Sequence, residues 1–430
     1  MPERGDWDLT TPETTKVVAD QAGYWRRIAI VWGASAFRWY WISVVTQALA
    51  LGMQFLVIGW LVLEITGSSA QLGLVISLYG IPNVSILLVA GVVADRFQRR
   101  YVLMTTQAAV AGIVAALAFL TVTDLVLVWH VYAAAVLLGV TQGVNMPART
   151  TMIGDLVEEH SILDGVALNS AAMQAGSIFG PPLAGAVIEV WGLAASLFVI
   201  VGCYFVSVVC VAKIGRTRQS DYTARRSVFS DFVEGLTYVR NSPLLLTIII
   251  VVVTFGAFGM AHNHIVPAMA KDVMGTGAAG VGLLFLGSGI GAFIGSLILP
   301  MIQNASVYRS LLFSLVIFTL ILTLFAWASS FWVSWVLFLF VGLVGKGLVW
   351  PLATTVVQLE TPIDVRGRVM GVLHITPAVH YLGAYPLALA AGQWDWGFAI
   401  TGSAMISLFV TVWFAVARRG APTISRQAAG

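Results

Sequence analysis

Long apolar runs, each closed by a short polar stretch, recur along this chain from about residue 37 to residue 417. A helix rises about 1.5 Å per residue, so roughly 20 apolar residues cross a bilayer core. Divided on that basis, the chain predicts twelve spans. They are 38–64, 71–94, 101–122, 128–147, 166–190, 193–213, 243–270, 277–300, 308–328, 331–358, 368–392 and 397–417. The stretch 28–63 is apolar except for Arg38, too long for one span and short for two. Residues 24–37, with Trp25, Arg26, Arg27 and Trp32, are therefore read as an interfacial helix leading into the first span. The longest polar interruption, 215–242, carries Phe229, Phe232, Val233, Leu236 and Val239 at helical spacing. It predicts a linker holding an amphipathic helix on the membrane surface.

Charge placement supports this count. Threaded through twelve alternating spans, all 23 Lys and Arg residues except Lys271 and Lys346 fall on the starting side or within reach of it. Basic loops face the cytoplasm, so both chain ends are expected there, in a multi-pass membrane protein. The organisation read is 1–37, an N-terminal segment; 38–214, a six-helix bundle; 215–242, the linker; 243–417, a second bundle; and 418–430, a tail.

Composition closes off other classes. With 59% hydrophobic and 10% charged residues, this is an all-α membrane protein and no nucleic-acid binder. No G-x-x-x-x-G-K-[ST] stretch is present for P-loop ATP hydrolysis. No cleavable leader is read in the mixed-charge N-terminal residues. Cys203 and Cys210 are read as two free thiols, with no disulfide or metal framework, and no cofactor is implied. No nucleophile–base pair suggests an enzyme.

The halves echo each other. Gly143-Val-Asn-Met-Pro147 with Thr150-Thr151 returns as Gly347-Leu-Val-Trp-Pro351 with Thr354-Thr355, and Val190-Trp191-Gly192 returns as Asp395-Trp396-Gly397. Such duplication predicts two pseudo-symmetric six-helix bundles with a ligand site between them.

Between the second and third spans stands Gly91-Val-Val-Ala-Asp95-Arg96-Phe97-Gln98-Arg99-Arg100. It resembles the G-x-x-x-D-R-x-x-R-R loop of the major facilitator superfamily. The fifth span reads Gly176-Ser-Ile-Phe-Gly180-Pro181-Pro182-Leu-Ala184-Gly185, similar to that family's antiporter motif, with Ala184 replacing one glycine. The string Pro147-Ala-Arg149, Gly154-Asp155, Leu168-Asn169-Ser170 resembles the branch of enterobactin, secretion-effector and macrolide exporters. The resemblance implies alternating access, with spans one, four, seven and ten lining the cavity. It implies a cytoplasmic latch of Asp95, Arg96, Arg99 and Arg100, joined here by Arg149, with Gly180 and Pro181 shaping the fifth span. Where the family often carries R-x-x-Q-G on span four, this chain reads Gly139-Val-Thr-Gln142-Gly143, which weakens the usual proton relay.

Polar residues inside spans mark candidate sites, because unsatisfied polar groups in hydrocarbon cost several kcal/mol. Gln142, Asn145 and Arg149 share one face of span four by spacing, and Gln47 and Gln54 share one face of span one. Span ten offers Lys346, Trp350 and Thr354. Span seven offers Thr254, Phe258 and His262, with His264 turned roughly 200° away. The substrate-binding set expected is Gln47, Gln54, Gln142, Asn145, His262, Lys346 and Trp350. His262, His264, His374 and His380 are candidates for proton coupling. Every Asp and Glu sits in a loop or near a span end, so the cavity reads as cationic to neutral.

The expected function is export of a small amphipathic molecule, of siderophore or hydrophobic-drug type, that is anionic, zwitterionic or neutral. The expected protein is a monomer among membrane lipids. Two alternatives remain open at this point: a lysophospholipid flippase without proton coupling, and a non-transporting sensor or scaffold.

Overall fold

The structure is a computed structural model that describes residues 28–158, 161–215, 228–302 and 306–417. Twelve helical segments follow the apolar runs. Spans one to six are Ser35–Thr66, Ser69–Arg96, Arg99–Val122, Val128–Leu156, Ile162–Trp191 and Leu193–Lys213. After the linker helix Val228–Asn241 come span seven (Pro243–Met274), span eight (Ala278–Ile302) and span nine (Val307–Ala326). Span ten (Phe331–Glu360), the broken span eleven (363–394) and span twelve (Trp396–Ala417) complete the series.

Eleven described segments are long and apolar enough to cross a membrane. Span eleven is the exception, because a 3₁₀ turn at Thr376–Val379 divides Ile363–Ile375 from His380–Trp394. Pro377 lies in that turn and has no N–H to continue the ladder. The Thr376 hydroxyl donates to the Leu373 carbonyl at 2.7 Å, satisfying one freed acceptor. Spans seven and ten each contain a π-helical turn instead, at Phe255–Gly259 and Gly345–Val349.

Of the interfacial helix read at 24–37, residues 24–27 lie outside the described residues; 28–33 are helical and the helix breaks at Ala34. Tight connections keep successive spans antiparallel. Span one ends on Gly67 at φ 60°, a left-handed conformation that suits glycine, and its N–H returns to the Leu63 carbonyl at 3.1 Å.

The packing has a pseudo-twofold pattern. Span two lies on four and three on six, as eight lies on ten and nine on twelve. Across the halves, five packs on eight and eleven on two. The end where span one begins is called here the near side. Buried apolar residues run without interruption from one half to the other in the far part of the molecule. A separate cluster around Phe37, Tyr40, Leu103 and Met152 fills the near end of the first half.

Span five touches both halves closely. A Cβ added at Gly180 would lie 2.7 Å from the Gly52 Cα of span one. A Cβ at Gly282 of span eight would lie 2.8 Å from the Pro181 carbonyl. Apolar helices gain no hydrophobic drive to associate in lipid, so such small-residue contacts carry much of the packing. Near the linker, Arg368 of span eleven pairs with Glu234 at 2.6 Å.

Replacing Gly180 by Leu forces spans one and five apart. Thermal unfolding in detergent is expected to show a loss of about 1–3 kcal/mol or more, whereas Gly112→Ala, with nothing within 4 Å of the new carbon, is expected to be neutral.

Candidate functional site

Two arrangements of polar groups lie within the spans, one sealed and one open. The sealed one belongs to the first half. The Gln47 amide donates to Asn145 Oδ1 at 2.7 Å, and the Asn145 amide donates to Thr106 Oγ1 at 2.7 Å. Gln107 donates to Gln47 Oε1 at 3.2 Å, and Ser207 donates to Gln107 Oε1 at 3.0 Å. Ser43 closes the chain through a 2.7 Å contact with Ser207. All of these side chains are buried. Gln54 is buried too and accepts from Tyr204 at 3.4 Å, beside a void of about 20 Å³, enough for one water. Gln47 and Asn145 are thus directed at spans three and six inside the bundle, where their bonding capacity is spent, and not at the second half. Gln142 is half-buried.

The open arrangement sits between the halves. Phe55 of span one and Tyr79 of span two meet His264, His380 and Tyr381 of spans seven and eleven. The His264 and His380 rings stack at 4.6 Å with only 5° between their planes. Tyr381 lies 4.9 Å from His264, 5.2 Å from Tyr79 and 6.0 Å from Phe55, centroid to centroid. The Ser77 hydroxyl donates to the Tyr381 carbonyl at 3.0 Å, and a Cβ at Gly73 would lie 2.8 Å from Ala388 Cβ. Farther out, Lys271 of span seven reaches the Leu63 carbonyl at 3.4 Å. These contacts join the halves along the far part of the molecule as an aromatic and histidine plug.

Helical counting places His262 on the facing side and His264 away from it; the structure has the reverse. His262 is fully buried within the second half, its Nδ1 2.6 Å from the Gly259 carbonyl, with Phe318 and Phe338 about its ring. The π turn at Phe255–Gly259 explains the exchange. It holds more residues per turn than an α-helix, so it rotates everything beyond it relative to the count from Thr254. His374 is exposed and lies apart from the stacked pair.

Lys346 sits in the other π turn, at mid-span, and remains exposed although protein surrounds it. Its ammonium group makes one long contact, 3.4 Å to Ser288 Oγ of span eight. His264 and His380 fall within its electrostatic reach. Gly345 and Gly347 on either side let the span approach Phe318 and Gly295, so the lysine is the only long side chain on that turn's open face. Trp350, one turn toward the near side, is half-buried.

The near side carries the charged groups. Arg99 pairs with Asp155 at 2.7 Å and also donates to the Thr151 carbonyl, while Arg100 donates to the Ala212 carbonyl at 2.6 Å. The side chains of Asp95 and Arg96 lie outside the described residues. Arg149 is buried beneath Tyr40, whose hydroxyl donates to the Arg149 carbonyl at 2.8 Å. Gly180 and Pro181 form the wedge between spans one and eight described above.

Sequence reading did not single out Phe55, Tyr79, Tyr381 or Ser288. The adjacent His380-Tyr381 pair in an apolar run was the available signal. Among the described residues no group of three His, Cys, Asp or Glu side chains is close enough to hold a metal ion. A cavity of about 460 Å³ lies on the flank between spans three and four, away from every group above.

Comparison with known proteins gives this geometry a context. The chain is 27% identical to the multidrug efflux pump Tap of Mycolicibacterium fortuitum, over 81% of its own length and 88% of that protein. It is 20% identical to the staphyloferrin A transporter of Staphylococcus aureus, over 83% and 90% of the two chains. The fold is similar to the crystal structure of the nucleoside transporter NupG, with a TM-score of 0.74 at 15% identity, covering 90% of this chain and all of that one. These neighbours are transporters rather than enzymes. The Major Facilitator Superfamily profile matches residues 40–379, and with two six-helix halves meeting at a plugged interface, the chain belongs to that superfamily of membrane transporters.

Proposed function

We propose that this transporter exports small amphipathic molecules of anionic, zwitterionic or neutral character by alternating access. The observation that carries the reading is Lys346, a cation held open at mid-span just to the near side of a plug that joins the halves. By the positive-inside rule the near side is cytoplasmic, in a bacterial inner membrane. A substrate entering there meets Lys346, with Trp350 toward the entrance, Gln142 of span four at the same depth as the lysine, and the Phe55, Tyr79 and Tyr381 rings at its head. The lysine attracts a carboxylate, phosphate or phenolate; the rings accept an apolar body.

The two bundles, 38–214 and 243–417, rock about this space, with the linker helix moving alongside span eleven through Arg368 and Glu234. The Arg99–Asp155 pair, with Asp95, Arg96 and Arg100, acts as the cytoplasmic latch. In this reading Gln47, Gln54 and Asn145 brace the first bundle and His262 braces the second. His264 and His380, which face the substrate path, carry any proton exchange. The relatives named as a multidrug efflux pump and a staphyloferrin A transporter support the drug and siderophore classes.

Transport into inverted membrane vesicles tests the substrate class. Lys346→Gln is expected to raise KM for an anionic substrate about tenfold or more, since a charge-assisted contact is lost, while a neutral substrate is affected little. Equal losses for both would remove the electrostatic reading. Dissipating the proton gradient is expected to stop uphill export; undiminished movement of lysophospholipid would instead favour the flippase.

Alternating access has its own test. In a chain lacking Cys203 and Cys210, cysteines at Ser77 and Ala388, on the facing spans two and eleven, are expected to be joined across the plug by a short reducible thiol cross-linker. Cross-linking is expected to abolish transport and reductant to restore it. Full activity in the cross-linked protein would exclude opening at the far side.

A further inference from the structure

The first half contains a second cation, Arg149, which sequence reading joins to the latch but which no ion pair among the described residues holds. Arg149 is only 5% exposed, yet its Nε and Nη1 are buried without any hydrogen-bond acceptor. An uncompensated charge in such surroundings is strongly unfavourable, and native structures supply a partner, either side chain, water or ion. Among the described residues no side chain takes that place. Asp155 is the only acid of span four, and it is held by Arg99 at 2.7 Å. The polar amides nearby are committed to one another, Gln47 to Asn145 and Asn145 to Thr106.

What does act on the guanidinium is a set of phenols on three other helices, Tyr40 being the one in hydrogen-bond contact with the residue. Tyr40 of span one, Tyr79 of span two and Tyr204 of span six all fall within its electrostatic reach. Phenols are neutral at physiological pH and leave the positive charge uncompensated. The Tyr40 hydroxyl is anchored between the Arg149 carbonyl at 2.8 Å and Asn169 Oδ1 at 3.2 Å, so the wall beside the cation is rigid. A planar, desolvated fork of donors favours a compact anion that accepts from two N–H groups at once.

We infer that Arg149 is the anchor of a small-anion site inside the first bundle, taking a single compact monoanion between spans one and four. The shared chemistry is one negative charge with hydrogen-bond acceptors, which either a free chloride ion or the carboxylate of a transported molecule supplies. The site is separate from Lys346: its walls come from the first half alone, and it stands whether or not Lys346 contacts the substrate.

Thermal unfolding of the purified full chain tests it. Chloride or acetate replaces bulky isethionate at constant ionic strength and pH. Because an anion bound only to the folded state stabilises it by mass action, the melting temperature is expected to rise saturably. Lys346→Gln is expected to keep that rise and Arg149→Met to lose it. Response to chloride assigns the site to a free ion, and response to acetate alone assigns it to a substrate carboxylate; each supports the site. No response in the unaltered protein means that water alone solvates the guanidinium and overturns the inference. A response that survives Arg149→Met, or vanishes in Lys346→Gln, overturns it as well. If Arg149→Met does not fold, Arg149→Lys keeps the charge but loses the fork. Its apparent anion affinity is expected to fall about tenfold or more, and unchanged affinity overturns the assignment.

Discussion

Span five wedges between the two halves, gripped closely by span one on one side and by span eight on the other. In hydrocarbon, apolar side chains gain nothing by touching each other instead of lipid. Helices associate where backbones approach closely or where polar groups find partners. Gly176 and Gly180 turn one side of the wedge against Ala48 and Gly52, while Pro181, Pro182 and Gly185 turn another against Ala278 and Gly282. The corresponding contact of span eleven on span two, through Gly73 and Gly80, completes the pseudo-twofold pair. Both crossings are lined by small residues, so backbones approach closely where the halves meet. A surface of that kind suits two bodies that separate and rejoin.

Polar groups are distributed unequally between the halves. In the first, Ser43, Gln47, Thr106, Gln107, Asn145 and Ser207 satisfy one another in a closed network, and such networks stiffen what they join. In the second, spans seven and ten are broken by π turns, and the polar side chains near them are served by single contacts: His262 by Gly259, Lys346 by Ser288. π turns free backbone groups and rotate the segments beyond them, and they are frequent at functional sites. A stiff bundle opposite a more deformable one is a physical basis for motion concentrated in spans seven, ten and eleven.

The sequence alone carried the fold. Apolar run lengths, the one-sided basic residues and the internal echo of Gly143–Pro147 in Gly347–Pro351 are local or additive signals, and no helix rotation had to be known to read them. The motif at Gly176–Gly185 was legible for the same reason: glycine at a spacing of four is a demand for close approach, whatever the partner. Span eleven was legible as a span but not as a broken one, since the length of an apolar run does not register the 3₁₀ turn at Thr376–Val379.

Where each polar side chain points was decided only by the tertiary structure. An amide in an apolar run must find a partner, but the run does not say on which helix, so Gln47 and Asn145 read as cavity residues and stand as mutual braces. Spacing placed His262 toward the cavity and His264 away; a five-residue π turn exchanged them, because a helical count holds only while residues per turn stay constant. The plug of Phe55, Tyr79, His264, His380 and Tyr381 joins four helices far apart in the chain. No periodicity reports such a meeting. Lys346 was visible from sequence as a charge at mid-span; that it stands exposed, with a serine as its one hydrogen-bond partner, is a property of the packed helices around it.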